Sequence, residues 1–452
     1  MFDLVFLVSY LSIPLLFVSF FMLSGRISIT INFVNILIIW IFITQYLGLL
    51  PLYFQLVETR ISVVSDKTIL FRLWFFTSFT ILSLLAGDRL FHLALRRPGN
   101  GVSAVMSHDM VSVRARRLGK LMLVWGGIAG LLLLQVNAKF DSPGVFIQSF
   151  LDAESTIARR EMVNFESGIP SVNLNILFFS VLPLVSLVIY FSMLPGGWVQ
   201  RYVLSNLFLL AGVGVVLLSA AKAPPLDFLL AFALAHLLRR GHAFETGTSI
   251  IFKAVIAATV VGYFMMRFTY GGDSGWDPLI NLFDRLCLGQ LQSSYLYLQT
   301  FPEQVAYLGG RSLPFISSVA GEGVNLSSLV YERAAMQHGF APGGSSPTIF
   351  WGELYANFGL SGVLLSPLIV GFMLNIPQYA LRLLSTRAAR PAVIGWFCIH
   401  YKTLGSTSLS SFVLDLHLAY ALLILLAIKV TVPLGRRPGP VDCAQGGQAL
   451  RP

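Results

Sequence analysis

The chain has 452 residues, of which 56% are hydrophobic and only 12% are charged, and its mean hydropathy is +0.75. Soluble globular domains contain about a quarter charged residues, so this composition excludes an ordinary soluble protein and indicates a polytopic membrane protein. The net charge of +10 does not indicate nucleic-acid binding, because no basic segment with interleaved aromatic residues occurs. Three cysteines at 287, 398 and 443 form no disulfide framework and no metal motif, and we expect no metal and no other cofactor.

Apolar stretches recur along the chain with the length that a bilayer-spanning helix needs, roughly 17–25 residues. We count eleven, with ten and twelve as bounds because the seventh is short: residues 4–23, 31–50, 73–93, 121–136, 174–194, 203–220, 226–238, 250–266, 360–381, 393–411 and 416–432. The first lacks the basic start and cleavage site of a signal peptide, so we expect it to be retained. The sequence therefore predicts an all-α integral membrane protein with a single polytopic domain over residues 1–452.

Lysines and arginines in the short connections set the predicted orientation, because cytoplasmic loops of membrane proteins are enriched in them. Basic connections occur at Arg26, 96–120, Arg201, 239–240 and 382–390, and they fall on one side if the spans alternate. That side is predicted to be cytoplasmic, together with the tail 433–452. The loops 138–173 and 268–357 are then outside, which in a bacterium is the periplasmic side of the inner membrane.

The first outer loop carries Arg159 and Arg160 among several carboxylates. Guanidinium groups suit bidentate phosphate binding, although ordinary surface ion pairs explain the pattern equally well. Lys222 lies in a short outer turn, where it either meets a lipid phosphate or extends to the interface. Lys402 lies within the tenth apolar stretch, and a charge at that depth indicates a function.

The second outer loop, 268–357, is rich in aromatic residues, arginines and carboxylates, which fits a carbohydrate groove and also a buried small core. Residues 278–299 are predicted to form an amphipathic helix against the outer membrane face. The loop ends in Gly343–Gly362, GGSSPTIFWGELYANFGLSG. Turn residues there precede a helical period from Thr348, with Ser346 or Thr348 as the cap and a helix N-terminus suited to an anion. The alternative is that this stretch only begins a transmembrane helix and that Glu353 faces water.

Three tracts in this loop resemble the oligosaccharide repeat-unit polymerases of bacterial envelope polysaccharide synthesis, the O-antigen polymerase type. They are DRL at 284–286, YLGGRSLP at 307–314 and the stretch 343–362. The resemblance covers about a hundred residues. It implies transfer of a growing glycan from an undecaprenyl pyrophosphate carrier to a lipid-linked repeat unit at the periplasmic face. It also implies membrane lipids, a chain-length regulator and a flippase as partners.

The reaction that the resemblance implies needs cations at the leaving pyrophosphate and a base at the acceptor hydroxyl. The base is then one of Glu353, Glu322 and His338. The candidates for binding pyrophosphate or glycan share a cationic or polar side chain outside the membrane: Arg159, Arg160, Arg285, Arg311, Lys222, Tyr355 and Asn357.

Two other functions stay open from the sequence. An O-antigen ligase-type glycosyltransferase would displace the same carrier but deliver the glycan to a different acceptor. A flippase or transporter of lipid-linked oligosaccharide would place charged or broken helices at the membrane midplane, where only Lys402 is evident.

Overall fold

A computed structural model describes residues 2–23, 31–56, 63–95, 111–152, 175–218, 223–239, 277–314, 316–317, 323–339, 344–386, 388–413 and 415–430, together with 260, 263 and 267. Every regular element within these residues is helical. The predicted all-α class is therefore confirmed for the described part of the chain.

The first half of the chain supplies nine helices among the described residues. They are α1 (Phe2–Leu23), α2 (Phe33–Ile41), α3 (Leu49–Tyr53), α4 (Lys67–Leu95), α5 (Val111–Phe140), α6 (Pro143–Asp152), α7 (Leu182–Met193), α8 (Ser205–Leu218) and α9 (Ala223–Arg239). Wider π-helical turns at Phe42–Tyr46, Leu177–Val181 and Val199–Leu204 join or extend several of them.

The second half begins with α10 (Asp277–Phe283), which a π-helical turn at Asp284–Leu288 joins to α11 (Gly289–Thr300). It continues with α12 (Leu326–His338), α13 (Phe350–Phe358), α14 (Leu360–Met373), α15 (Asn375–Leu384), α16 (Arg390–Lys402), α17 (Ser410–Val413) and α18 (Leu416–Val430).

Five helical segments of the described chain are long and apolar enough to cross a membrane: Phe33–Tyr53, Lys67–Leu95, Leu118–Phe140, Val199–Leu218 and Leu360–Leu384. Shorter apolar helices cover Asp3–Leu15, Leu177–Met193 and Leu416–Ala427. By length and composition the chain is a membrane protein. Most of the predicted span 250–266 lies outside the described residues.

Helices α4 and α14 cross where two glycines face each other. A Cβ atom on Gly87 would lie 2.2 Å from the carbonyl oxygen of Leu368, and one on Gly371 would lie 2.3 Å from that of Leu84. Small residues at such a crossing let the two backbones touch. Within a membrane the hydrophobic effect does not drive helices together, so close van der Waals packing of this kind stabilises their association. Asp88 beside this crossing is buried and accepts a hydrogen bond from the Asn375 side chain at 3.1 Å.

Helix α16 packs against several other helices, among them α2, α7 and α9. Gly395 allows α9 to approach, since a Cβ atom there would lie 2.8 Å from the carbonyl oxygen of Ala231. The tenth predicted span, 393–411, is not one continuous helix. Helix α16 ends at Lys402, where the hydroxyl of Thr407 donates to the Thr403 carbonyl and polar small residues form a tight turn instead of a further apolar turn.

Residues 277–300 are helical, as predicted for 278–299, but the part that forms α11 is not an amphipathic surface helix. Tyr295, Leu296, Tyr297 and Leu298 are all buried, and four consecutive residues point in all directions around a helix. Helix α11 therefore packs inside the protein against α4, α12 and α13.

The π-helical turn Phe42–Tyr46 carries a buried glutamine that joins three parts of the fold. Its side-chain amide donates to the carbonyl oxygens of Gln290 at 3.3 Å and Gly405 at 3.5 Å. The Ser294 hydroxyl donates to the Gln45 side-chain oxygen at 2.9 Å. Gln45 thus ties α11 and the turn after α16 to the second helical segment of the chain.

Candidate functional site

Residues Phe350–Phe358, within the stretch 343–362, form α13, and the start of this helix differs from the prediction. Residues 344–349 are not helical, and the helix begins at Phe350 with Ile349 as N-cap and no side-chain capping hydrogen bond. The prediction that Ser346 or Thr348 caps the helix is wrong. The Ser346 amide instead donates to a carbonyl of α12 at 3.1 Å, and the Thr348 hydroxyl lies 3.1 Å from a hydroxyl of α11.

The N-terminus of α13 is filled by apolar side chains. Phe350 and Trp351 are fully buried, and the Trp351 ring meets Phe76 of α4 at a centroid distance of 5.6 Å. An anion site at this helix start was predicted, but the packed aromatic rings leave the first turn closed to the surface. The site must therefore be built from side chains further along α13.

Glu353 is the central carboxylate of this region, and it is only 2% exposed. It therefore does not face water, as one alternative from the sequence held. Its Oε2 accepts a hydrogen bond of 2.9 Å from the amide of Ser410, the first residue of α17. Burial raises the pKa of Glu353, and the hydrogen bonds from Ser410 oppose that shift only in part.

Tyr297 of α11 shares the electrostatic environment of Glu353. Burial raises the pKa of the Tyr297 phenol, and the neighbouring charge of Glu353 raises it further. The Tyr297 side chain therefore stays protonated near the carboxylate at every ordinary pH.

Asn357, one helical turn beyond Glu353, holds the tract 307–314 against the end of α13. Its side-chain oxygen accepts from the Gly310 amide at 2.9 Å, and its side-chain nitrogen donates to the Ser312 hydroxyl at 2.6 Å and to the Glu353 carbonyl at 2.8 Å. The Gly309 amide also donates to the Asn357 carbonyl at 3.0 Å. These bonds fix the YLGGRSLP tract to the helix that carries Glu353.

Arg311 lies between the two residues that Asn357 holds, and its side chain is exposed. Gly309 and Gly310 have positive φ values of 59° and 100°, and this turn brings the arginine to the end of α13. Tyr355, another predicted substrate contact, is buried and donates its hydroxyl to the Phe301 carbonyl at 3.1 Å. The structure thus joins α13, which carries Glu353, Tyr355 and Asn357, to the tract 307–314, which carries Arg311.

A second cluster of polar side chains lies where α9 begins and α16 ends. Of its members, only Lys402 was singled out from the sequence. The Lys402 ammonium donates to Asp227 Oδ1 at 2.6 Å, with side-chain exposures of 8% and 25%. The same ammonium lies 4.2 Å from the centre of a Trp40 ring. Lys402 is therefore paired with Asp227 and lies at the end of a helix, and not in the middle of a continuous one.

Two histidines continue this group. His400 Nε2 lies 3.1 Å from Asp415 Oδ2, with side-chain exposures of 15% and 5%, and its ring lies 4.6 Å from that of His417. The Nδ1 of His417 lies 2.8 Å from the Ser180 hydroxyl. Asp415 also accepts from the Leu418 amide at 3.1 Å and so caps α18. We call Asp227, His400, Lys402, Asp415 and His417 the buried charge cluster.

The turn between α16 and α18 joins this cluster to Glu353, because Ser410 lies in that turn. Sequence reasoning found Lys402 but missed the other four members of the cluster. The available signal was the same for all of them: an ionisable residue within or beside an apolar stretch.

The remaining predicted residues lie elsewhere or outside the described chain. Arg285 is exposed on the π-helical turn before α11. His338 is half-buried at the last position of α12, which ends at Gly339 in the left-handed conformation. Four predicted residues lie outside the described residues: Arg159, Arg160, Lys222 and Glu322.

In the part of the chain that the structure describes, no group of three or more His, Cys, Asp or Glu side chains is arranged to hold a metal ion. Comparisons of the chain with protein-family models, with curated proteins and with solved structures found no match.

Proposed function

We propose that the protein is a membrane glycosyltransferase of the polysaccharide polymerase type, in which Glu353 is the base and Arg311 helps to bind the leaving pyrophosphate. In this proposal eleven spans lie in the inner membrane of a bacterium, and the loops 138–173 and 268–357 are periplasmic. The substrates are two undecaprenyl pyrophosphate-linked oligosaccharides. A chain-length regulator and a flippase are the partners that such a reaction needs.

The buried carboxylate of Glu353 is the observation that carries this proposal. The Glu353 side chain is only 2% exposed, and burying an ionised carboxylate costs free energy because the carboxylate loses its hydration. A function that needs a carboxylate at this position explains why the cost is tolerated. Its raised pKa makes it a stronger base than a surface glutamate. The Ser410 amide holds one oxygen and thereby orients the carboxylate.

The transfer uses these groups in one displacement. Glu353 takes the proton of the acceptor hydroxyl, and the hydroxyl oxygen forms a bond to the anomeric carbon of the donor chain. The bond from that carbon to the carrier pyrophosphate breaks, and the bonding electrons leave with the pyrophosphate. Arg311 supplies a cation for the charge that develops there, as guanidinium groups do for phosphates. Arg285, Arg159, Arg160 and Lys222 are further candidates for that role.

A ligase-type transferase would use the same carboxylate and arginine with another acceptor, so the two differ only in the product. Among the three candidate bases we favour Glu353, because its helix is bonded directly to the tract that carries Arg311. His338 lies at the far end of α12, and Glu322 lies outside the described residues.

Transport of a lipid-linked oligosaccharide is the second candidate, and the buried charge cluster favours it. Asp227–Lys402 and His400–Asp415 are ionisable pairs within a helix bundle, and such pairs serve ion coupling in transporters. In that case the cluster moves a proton and Glu353 is structural.

Polymer length on carrier-linked glycan separates the two functions. A strain that lacks the protein is complemented with the wild type, Glu353→Gln, Arg311→Gln or the control Glu303→Gln. Glu303 is an exposed carboxylate of the same region. Gln at 353 retains an oxygen that can accept from Ser410, so it removes the base and keeps the fold.

We expect wild type and Glu303→Gln to restore long polymer, while Glu353→Gln and Arg311→Gln leave single repeat units displayed outside. Full polymer with Glu353→Gln would remove Glu353 as the base. Repeat units trapped on the cytoplasmic face in the deletion strain would refute the polymerase and support transport.

A further inference from the structure

A basic pocket lies at the end of the bundle opposite the buried charge cluster. Helix α7 ends there, α8 begins there after a π-helical turn, and α9 ends there. The cavity has a volume of about 530 Å³ and is lined mainly by polar side chains: Tyr190, Arg201, Tyr202, Asn206, His236 and Arg239. None of the residues discussed under the proposed function belongs to this pocket.

The lining of the pocket is suited to an anion. Two guanidinium groups, two phenols, an imidazole and an amide converge on it, and no carboxylate is among the residues that line it. Within the described residues neither Arg201 nor Arg239 forms an ion pair with Asp or Glu. Guanidinium forks and phenol donors together match the several oxygens of a phosphate group.

Residues that line the pocket contact one another. The Arg201 guanidinium lies 5.1 Å from the centre of the Tyr202 ring, and the Asn206 side chain donates to the Tyr202 carbonyl at 2.8 Å. On the other wall the Tyr190 hydroxyl lies 3.5 Å from His236 Nε2. These contacts orient the polar atoms before a ligand arrives.

The surface beside the pocket is apolar and exposed, which favours a membrane lipid over a soluble ligand. Trp198 is 70% exposed, Val203 in the π-helical turn is 47% exposed, and Leu207 and Leu210 of α8 are 60% and 66% exposed. They belong to or adjoin a segment, Val199–Leu218, that is long and apolar enough to cross a membrane. An acyl chain can lie along this face while its head group enters the pocket, with Trp198 at the interface.

A further arginine lies at this end of the bundle. Helices α9 and α16 run antiparallel, since Asp227 meets Lys402 at one end, so Arg390 at the start of α16 lies at the same end as Arg239. Such a basic end fits the cytoplasmic leaflet, which carries the anionic lipids.

We propose that this pocket binds the phosphate group of an anionic membrane lipid at the basic end of the bundle. The site is separate from the proposed transferase site and does not depend on it. The same chemistry would hold free phosphate, so the test includes both sources.

The experiment uses the full chain, purified and placed in nanodiscs of phosphatidylcholine with or without phosphatidic acid. Binding is measured as the number of phosphatidic acid molecules retained by native mass spectrometry, with inorganic phosphate as a soluble competitor. The variants are Arg201→Gln, Arg201→Gln/Arg239→Gln and the control Arg390→Gln, which removes an exposed arginine at the same end but outside the pocket.

We expect wild type and Arg390→Gln to retain phosphatidic acid equally, and the double variant to lose affinity at least about tenfold because two charge-assisted contacts are removed. The single variant Arg201→Gln, at an exposed position, gives an intermediate loss and guards against misfolding of the double variant. Equal loss in Arg390→Gln would overturn the proposal, because the attraction would then be general. Displacement by inorganic phosphate at matched concentration would overturn the assignment to a lipid.

Discussion

Replacing Lys402 by methionine tests whether Lys402 and Asp227 of the buried charge cluster stabilise the protein as a pair or as independent charges. Methionine keeps most of the apolar stem of lysine and removes the ammonium, which donates to Asp227 at 2.6 Å. The aspartate is then left in a site where only a quarter of its side chain is exposed. The Asp227 carboxylate is then only partly hydrated and no longer has the Lys402 ammonium as its partner.

The magnitude follows from that burial. Removing one partner of a buried ion pair costs about 3–5 kcal/mol, and the partial exposure of Asp227 places the expected loss near the lower limit, at about 3 kcal/mol. The lost contact with the Trp40 ring adds about 1 kcal/mol. A double variant, Lys402→Met/Asp227→Leu, removes both charges, and its free energy of unfolding should return to within about 1 kcal/mol of wild type.

The assay is reversible unfolding in mixed micelles, followed by tryptophan fluorescence. Lys67→Met serves as the control, because Lys67 pairs with Asp3 at 3.0 Å but the two side chains are 48% and 59% exposed. We expect no measurable loss from it, as for most surface pairs. Additive losses in the double variant would refute the reasoning, since they would show that the two charges do not compensate each other.

Three further predictions concern the helix crossing and the candidate site. Gly87→Ala should destabilise the protein by about 1–3 kcal/mol, because its Cβ would overlap α14, whereas Gly126→Ala, with nothing within 4 Å of its Cβ, should not; thermal unfolding of both compares them. In Glu353→Gln the free energy of unfolding should lose part of its pH dependence, measured by unfolding between pH 4 and 8. The raised carboxyl pKa means that the native state holds this proton more tightly, so wild type loses stability as pH rises above the ordinary glutamate pKa and the variant does not. Asn357→Ala should free the tract that Asn357 holds, so trypsin should cleave after Arg311 faster than in wild type, and an unchanged rate would contradict the role of those hydrogen bonds.

The apolar helices could be predicted from the sequence because a run of apolar residues sets both the helix and its length. Local breaks were harder to place. Helix α16 ends at Lys402 inside a predicted span, because small polar residues follow it and the hydroxyls of Thr403 and Thr407 bond to nearby carbonyls. The break at Gly359, with φ 63°, separates α13 from α14 in a stretch that resembles one continuous helix.

The candidate site was predictable in part. Glu353 and Arg311 were chosen for their chemistry, and the structure shows in addition that Asn357 bonds their two segments together. The partnership of Lys402 with Asp227 could not be read from the sequence, because the two residues are 175 positions apart and only the packing of α9 on α16 brings them together. The burial of α11 was likewise hidden, since the polar side chain of Ser294 bonds to Gln45, which is 249 positions away in the sequence.

The π-helical turn at Phe42–Tyr46 has a consequence for chain length. A π-helical turn accommodates one residue more than an α-helical turn. The extra residue is therefore contained within the turn, and the helices on either side present the same faces to their neighbours. The carboxamide of Gln45 extends from this surplus turn to α11 and to the turn after α16. A deletion of one residue here would regularise the helix and leave α2 and α3 against the same neighbours, yet it would withdraw the amide that links them to both. At this point the number of residues, as much as their identity, determines which parts of the bundle are joined.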